Sequence, residues 1–319
     1  MTLPESLPRY KNLPIAPGLP EHSAWKLFGK DDQLGTLNLL TADRVKRAAR
    51  LVRRGAVFPL NWRIDTPDPS IMGRGRLTRT QLETRQPVPS SDEYFDGFYP
   101  QASTQWDSLK HVGNPRHGFY NGNSVEDVLA PGATRLGIQN FARRGITGRF
   151  VLVDVERYFD SLGKKLVQTE RVAISGQDLD AALKATGTKL KIGDILLIRF
   201  GFVGWYEQLN HEERVSLASV TQFPAPGLSE DESSAEWLWD HHVAAVVCDN
   251  PALEATPMHP DQLHYRIIPL LGIAVGEMFD LEALATDCAT TKVYEGLFVA
   301  APFNMPGGSG SSGNALAIK

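Results

Sequence analysis

Cysteine is scarce in this chain of 319 residues, which carries only Cys248 and Cys288. No Cys-x-x-Cys pair exists, and two distant cysteines exclude a fold that depends on a disulfide framework. Such low cysteine usage fits a reducing compartment. The first residues also lack the apolar core of a secretory signal, so we expect a cytoplasmic protein.

An excess of positive charge is also lacking. The chain has 33 Lys and Arg against 37 Asp and Glu, a formal net charge of −4. Because nucleic-acid binders usually carry a basic excess, we expect no nucleic-acid partner. No uncharged apolar run reaches the length of a membrane span, so we expect no membrane partner either.

The composition that remains is that of an ordinary globular enzyme, with 42% hydrophobic and 22% charged residues. The length suits one large domain or two modest ones. Short runs rich in Val and Ile predict buried strands, and predicted helices lie between them. This alternation indicates a mixed α/β fold. The predicted strands are 56–60, 150–155, 195–200, 243–248, 273–275 and 297–301.

Three helix starts can be read from capping signals. Thr41 is a plausible N-cap before apolar residues at helical spacing, with Gly55 as the stop. Ser175 precedes a second helical pattern. Ser229 and Glu232 form a Ser-x-x-Glu capping box ahead of a third.

Three other segments stand out. Residues 1–22 hold five prolines and predict an extended arm, which lies over the body of the protein or crosses to a neighbouring subunit. Residues 62–122 are irregular and polar, and such long stretches in compact domains are usually functional. The glycine- and serine-rich residues 306–313 have the composition of a flexible linker.

The densest polar segment is QASTQWDSLKH at 101–111. Asp107 and His111, four positions apart, either share one helical face or crowd one pocket from a loop. Asp107 then binds a metal while His111 moves protons, or both bind the metal. The alternative interpretation is an ordinary surface pair of Asp and His.

A second polar group consists of His259, Asp261, His264 and Glu277. Imidazole and carboxylate groups are suitable ligands for divalent metals, although a buried histidine and an ordinary acidic residue would explain them equally. Asp249 follows the predicted strand 243–248 directly. It either serves the site, as residues at the carboxyl ends of strands often do, or caps the next turn.

The order of several motifs resembles the cyclase family, the metal-dependent hydrolases that include bacterial kynurenine formamidase and isatin hydrolase. WKLFG at 25–29 and DDQLGTLNLL at 31–40 look like the opening signature of its longer members. GDILLIR at 193–199 looks like its central strand, and PGLS at 226–229 precedes its usual helix. Residues 307–318 look like its glycine-rich closing segment, which implies structure rather than a linker.

The family's hallmark, H-x-G-T-H-x-D-x-P-x-H, falls on residues 101–111. Thr104, Asp107 and His111 are kept, whereas Gln101 and Gln105 replace the two metal-binding histidines. The glycine and the proline of the motif are also replaced, by Ser103 and Leu109.

Further along the chain, the family's second-metal histidine and glutamate fall on His264 and Glu277. The resemblance implies one divalent ion (Mn, Zn or Mg) on Asp107, His264 and Glu277, with Gln105 assisting. Because an amide oxygen is a weaker ligand than imidazole, binding is expected to be weak or lost. The motif position also implies substrate binding by Gln101 and Thr104. Trp106 either walls an aromatic pocket or packs in the core.

The resemblance further implies a single compact α/β domain over 23–319, with a mixed sheet and a β-barrel-like core. It implies a homodimer or a larger homo-oligomer, a small-molecule substrate, and hydrolysis with His111 and Asp107 as the catalytic pair. An arylformamide, the substrate type of tryptophan catabolism, is the first expectation, and a cyclic amide or lactone the second. The alternatives are a metal-free lactone hydrolase or cyclase of secondary metabolism, and a non-catalytic binding protein on the same scaffold.

Overall fold

The computed structural model describes residues 7–83 and 88–319. The strands in these ranges are β1 (Val57–Pro59), β2 (Thr78–Gln81), β3 (Glu93–Asp96), β4 (Gln105–Asp107), β5 (Ile146–Asp154), β6 (Ala173–Ile174), β7 (Ile195–Arg199), β8 (Gly227–Leu228), β9 (Ala245–Cys248), β10 (Ala274–Glu277), β11 (Glu295–Ala300), β12 (Gly310–Ser312) and β13 (Ala315–Ile318).

The helices alternate with these strands. They are α1 (Ala42–Ala49), α2 (Val125–Leu129), α3 (Gln139–Arg144), α4 (Val155–Ser161), α5 (Gly176–Thr186), α6 (Phe202–Tyr206), α7 (His211–Ala218), α8 (Glu232–Asp240), α9 (His264–Ile267) and α10 (Glu282–Thr291), with short 3₁₀ turns at Tyr10–Asn12, Gly35–Leu39 and Tyr120–Gly122. In the part of the chain that the structure describes, no helix has the length and apolarity that crossing a membrane requires.

A mixed sheet of nine strands organises the described residues, in the order β1-β13-β11-β5-β7-β9-β10-β4-β12. Strands β5, β7, β9 and β10 run parallel at its centre. Antiparallel strands extend it on both sides, with β11, β13 and β1 on one side and β4 and β12 on the other. The sheet curls into a half-barrel, which confirms the predicted single α/β fold with a mixed sheet.

Five of the six predicted strands coincide with central or near-central strands, because continuous Val and Ile runs suit strands that are covered on both faces. All residues of β7 and β9 are buried. The sixth, β1, is an edge strand whose first and last residues are exposed. The prediction of a buried strand at 56–60 is therefore wrong in its burial, since Val57 and Pro59 are exposed.

Two of the three predicted helix starts are correct. The Thr41 side chain accepts a hydrogen bond from the Arg44 amide at the start of α1, and Ser175 caps α5 through a capping box. Helix α1 ends at Ala49, well before Gly55, because the Arg50 amide bonds back to the carbonyls of the last turn.

The predicted capping box of Ser229 and Glu232 is wrong. The segment before it pairs with β6 as strand β8, and α8 begins only at Glu232, after Asp231. The Ser229 hydroxyl instead donates to the Asp231 carboxylate at 2.8 Å, which closes a local turn between strand and helix.

The glycine-rich end of the chain is part of the sheet. Strand β12 pairs with β4, and β13 pairs with both β1 and β11. The linker interpretation from composition is therefore wrong, and the structured segment implied by the family resemblance is found.

Residues 7–22 of the predicted arm lie against α8 of the same chain. Tyr10 and Leu13 are buried, and the Tyr10 amide donates to the Asp240 carboxylate at 2.7 Å. The indole nitrogen of Trp239 donates to the Pro8 carbonyl at 2.9 Å. Residues 1–6 of the arm lie outside the described residues, and the division of the chain at residue 22 stays a prediction.

The last side chain anchors β13 to the end of α10. The Lys319 ammonium is buried and donates to the Asp287 carboxylate at 2.7 Å, the Thr291 hydroxyl at 3.1 Å and the Val293 carbonyl at 2.5 Å. Arg54 also contacts the Asp287 carboxylate, at 2.7 Å, so this carboxylate joins the α1–β1 connection to α10.

We expect Lys319→Met to lower the free energy of unfolding by about 1–3 kcal/mol, because the Val293 carbonyl and the Thr291 hydroxyl lose the ammonium as a donor and the Asp287 carboxylate keeps only Arg54. Urea denaturation would measure the change. The control is Lys46→Met, which removes an exposed lysine with a loose 3.8 Å contact to Asp43 and should stay within about 0.5 kcal/mol of the parent. Equal stabilities of the two variants would contradict this role of Lys319.

Candidate active site

Strand β4 sets the positions of the hallmark residues. It pairs with β10 so that Gln105 lies opposite Glu277 and Asp107 opposite Val275, and with β12 on its other side. Side chains alternate between the two faces of a strand, so Gln105 and Asp107 share one face with Glu277. Trp106 points to the other face.

The Trp106 side chain belongs to the hydrophobic core. It is fully buried, and its ring meets those of Phe279 and Phe298 edge-on at centroid distances of 5.3 and 6.0 Å. Its indole nitrogen donates to the Gly313 carbonyl at 2.9 Å. The prediction that Trp106 walls a substrate pocket is therefore wrong, and the core interpretation is correct.

His264, at the start of α9, completes a buried cluster with the two carboxylates. The ligand atoms of Asp107, His264 and Glu277 all lie within 4.8 Å of one another. The Nε2 atom of His264 is 3.2 Å from Glu277 Oε1 and 3.9 Å from Asp107 Oδ2. The fold thus brings together three residues that lie far apart in the chain.

Two oxygens of this cluster are buried without a hydrogen-bond donor among the described residues: Asp107 Oδ2 and Gln105 Oε1. The amide nitrogen of Gln105 donates to Glu277 Oε2 at 2.5 Å, so its oxygen is the free end of the amide. Buried polar atoms are rarely left without a partner, and an ion is one of the usual reasons. Oxygens from Asp107, Glu277 and Gln105 with the nitrogen of His264 make a donor set that fits one divalent ion.

The electrostatics of the cluster also favour a cation. Burial raises the pKa of the Asp107 carboxyl, although the nearby His111 and His264 oppose this effect. Burial lowers the pKa of His264, but the charges and hydrogen bonds of Glu254 and Glu277 outweigh it and hold that pKa well above its ordinary value. Three buried carboxylates therefore surround one imidazole, and a bound cation would offset their excess negative charge.

Glu254 is a member of the site that the sequence predictions do not include. It is fully buried, and its Oε2 accepts a hydrogen bond from His264 Nδ1 at 2.5 Å. The signal that could have identified it is a carboxylate inside the otherwise apolar run PALEA at 251–255, since buried acidic residues need a partner.

His111 and Gln101 lie at the outer side of the cluster. The His111 side chain is 27% exposed, and its Nε2 is 3.7 Å from Asp107 Oδ1. The amide nitrogen of Gln101 lies 2.9 Å from His111 Nδ1 and 3.4 Å from Asp107 Oδ1. Asp107 ends a strand and His111 follows in a turn, so the shared helical face is wrong, and the two side chains approach each other from the strand end and the turn after it.

The Gln101 amide engages Nδ1 of the His111 ring. The other ring nitrogen, Nε2, is left on the side of Asp107, 3.7 Å from Oδ1.

Thr104 is held by hydrogen bonds to the backbone. Its buried hydroxyl donates to the Met278 carbonyl at 2.6 Å and accepts from the Trp62 amide at 2.7 Å. The hydroxyl thus joins three segments near β4, and substrate binding by Thr104 stays a prediction.

The remaining polar candidates do not reach the cluster. The Asp249 carboxylate accepts from the amides of Phe200 and Gly201 at 2.7 and 2.8 Å, which makes it the cap of the turn after β7. Burial raises the pKa of Asp249 to about 7. His259 is exposed, and the exposed Asp261 pairs with Arg266.

The fold and this cluster define an α/β protein with a buried candidate metal centre. A family model described as "Putative cyclase" matches residues 46–255, more than half of the chain. A crystal structure described as a novel cyclase is 34% identical, with a TM-score of 0.84 over 93% of this chain and 97% of its own. The chain therefore belongs to the cyclase family, which confirms the resemblance read from its motifs.

Two solved structures with lower identity share the fold. Isatin hydrolase A from Labrenzia aggregata, bound to benzyl benzoate, is 13% identical, with a TM-score of 0.58 over 85% of this chain and 95% of its own. An isatin hydrolase bound to the product analogue thioisatinate is 15% identical, with a TM-score of 0.54 over 82% of this chain and 92% of its own. A search of curated proteins found no matching sequence.

Proposed function

We propose that the protein is a metal-assisted hydrolase that opens an amide or lactone bond of a small molecule. The observation that carries the proposal is the buried group of Asp107, His264 and Glu277, together with the partnerless oxygens of Asp107 and Gln105. A buried arrangement of this kind costs stability unless a cation joins it, and divalent ions are the usual cations of such donor sets.

Asp107, His264 and Glu277 would hold one ion, with the Gln105 carbonyl oxygen as an additional ligand. Such an ion, when bound, would polarise a carbonyl group and lower the pKa of a water molecule. Three oxygens and one nitrogen suit manganese and magnesium as well as zinc. Because Gln105 replaces an imidazole, we propose that the ion is held weakly.

His111 is the proton carrier of the proposed reaction. It is the histidine at the exposed side of the cluster, and Gln101 holds its ring through Nδ1. Nε2 is therefore the ring nitrogen that would take a proton from the attacking water and return it to the leaving nitrogen or oxygen. The carboxylate of Asp107, 3.7 Å from Nε2, keeps the ring turned toward the site.

Fold relatives and family resemblance together support the proposed substrate class. Isatin hydrolase, with which the chain shares its fold, is named for a substrate that is a cyclic amide. We propose an arylformamide or a cyclic amide as the substrate, with a lactone as the alternative. We also propose a cytoplasmic location, because both cysteines are free and buried.

We expect one divalent ion per chain when chelator-treated protein is titrated with Mn²⁺ or Zn²⁺ in a calorimeter. Hydrolysis of a panel of arylformamides, cyclic amides and lactones should appear only with the ion present. His111→Gln should lower the rate by about 10²–10⁴-fold while the ion still binds, because general acid–base catalysis contributes that much. The control is His117→Gln, at an exposed histidine that lies outside the cluster.

Absence of ion binding would contradict the proposal and favour the metal-free enzyme or the non-catalytic binding protein. Ion binding without hydrolysis of any panel member would favour the binding protein alone. Unchanged activity in His111→Gln would remove this residue from the reaction.

We expect the double variant Gln101→His and Gln105→His to carry more zinc than the parent after purification. Imidazole is a stronger zinc ligand than an amide oxygen, and Gln105 already faces the cluster. Elemental analysis of both proteins would measure the difference. Equal zinc contents would contradict the view that these glutamines weaken the site.

We further propose that the protein is a homodimer or a larger homo-oligomer, with the β2–β3 hairpin at the interface. In the described residues these two strands pair only with each other. Leu82, Tyr94 and Phe95 on and beside them are 43%, 48% and 42% exposed. An isolated hairpin is marginally stable in water, and these exposed apolar side chains would leave water in an interface.

We expect the double variant Tyr94→Ser and Phe95→Ser to sediment as a smaller species than the parent, because it removes apolar area from the interface. Sedimentation velocity would measure the masses. The control is Val293→Ser, a 46% exposed apolar residue between α10 and β11. A parent that is already monomeric, or a variant of unchanged mass, would contradict the proposal.

A further inference from the structure

We propose that Glu254 is a positioning residue that aims the imidazole of His264 at the metal site. The inference rests on the function proposed above. It concerns a residue outside the family's hallmark segment and outside the group of metal ligands.

The contact between the two side chains is short and fully enclosed. Glu254 Oε2 lies 2.5 Å from His264 Nδ1, and its other oxygen accepts from the His264 amide at 3.5 Å. Glu254 is 0% and His264 6% exposed. A carboxylate can only accept, so Nδ1 of His264 carries a proton toward Glu254.

This bond determines which ring nitrogen faces the site. With Nδ1 engaged by Glu254, Nε2 points toward Glu277 and Asp107, at 3.2 and 3.9 Å. A histidine that binds a metal commonly donates its other ring N–H to a carboxylate or carbonyl, which fixes the ring orientation. Glu254 supplies that acceptor here.

The residue before Glu254 positions a second ligand. The amide of Leu253 donates to Glu277 Oε1 at 2.9 Å. Two adjacent residues, one through its backbone and one through its side chain, therefore hold two of the three proposed metal ligands.

Strand β8 in turn fixes this segment. The Leu228 amide donates to the Leu253 carbonyl, and the Ala255 amide donates to the Leu228 carbonyl, both at 2.9 Å. Gly227 lies directly against the Glu254 backbone, where an added Cβ would overlap the Glu254 carbonyl carbon. The segment therefore has little freedom to move, as a positioning element requires.

The test measures the affinity of chelator-treated protein for Mn²⁺ and Zn²⁺ in two variants, Glu254→Ala and Glu254→Gln. Loss of a partner of a metal-binding histidine typically weakens metal binding by about 10–100-fold. We expect a loss of that size in Glu254→Ala. A smaller loss is expected in Glu254→Gln, whose amide oxygen can still accept from Nδ1, and this variant also serves if the alanine variant does not fold.

The matched control is Asp249→Asn, which alters another fully buried carboxylate that bonds only backbone amides after β7. It should lower thermal stability without weakening metal binding. Metal affinity that falls equally in Asp249→Asn and Glu254→Gln would assign Glu254 a general structural role and overturn the proposal.

A second measurement does not require the metal. The Nδ1 proton of His264, held in a short enclosed hydrogen bond, should give a downfield proton resonance in metal-free protein that disappears in Glu254→Ala. Retention of this resonance, or unchanged metal affinity in both variants, would overturn the positioning role alone. Metal binding without hydrolysis would instead overturn the proposed function and leave the positioning role intact.

Discussion

Three carboxylates buried around one imidazole are the arrangement on which the candidate site depends. Asp107, Glu254 and Glu277 are each at most 4% exposed, and His264 lies among them. Removing several negative charges from water is unfavourable unless cations or hydrogen bonds offset it. Hydrogen bonds from Gln105 and Leu253 to Glu277 satisfy part of this requirement. The remaining free oxygen of Asp107 explains why the proposed function includes a divalent ion.

The register between β4 and its neighbours keeps these groups on one face. A shift of one residue would turn Asp107 toward the core and Trp106 toward the site. Trp106 opposes that shift, because its ring is enclosed by Phe279 and Phe298 and its nitrogen bonds to Gly313. The glycine-rich end of the chain thus supports the site, since β12 is the edge strand that pairs with β4.

The sequence predicts those features that depend on local patterns. Uninterrupted Val and Ile runs identify β7 and β9 because parallel central strands are covered on both faces. Thr41 and Ser175 are identified as caps because capping involves residues three positions apart. The features that the sequence does not predict depend on which strands pair with each other. The inward direction of Trp106, the edge position of β1 and the strand that replaces the Ser229 capping box all depend on distant segments.

For the two glutamines, the motif predicts one shared property, and the structure shows that their contacts differ. Motif alignment identifies Gln101 and Gln105 as replacements for histidine, and donor chemistry alone would describe both as weaker ligands. Their hydrogen-bond partners in the structure differ. Gln105 donates to Glu277 and its oxygen is buried without a donor, whereas the Gln101 amide contacts Asp107 and His111. Gln105 therefore remains a potential ligand, and Gln101 holds the ring of His111, the proposed proton carrier.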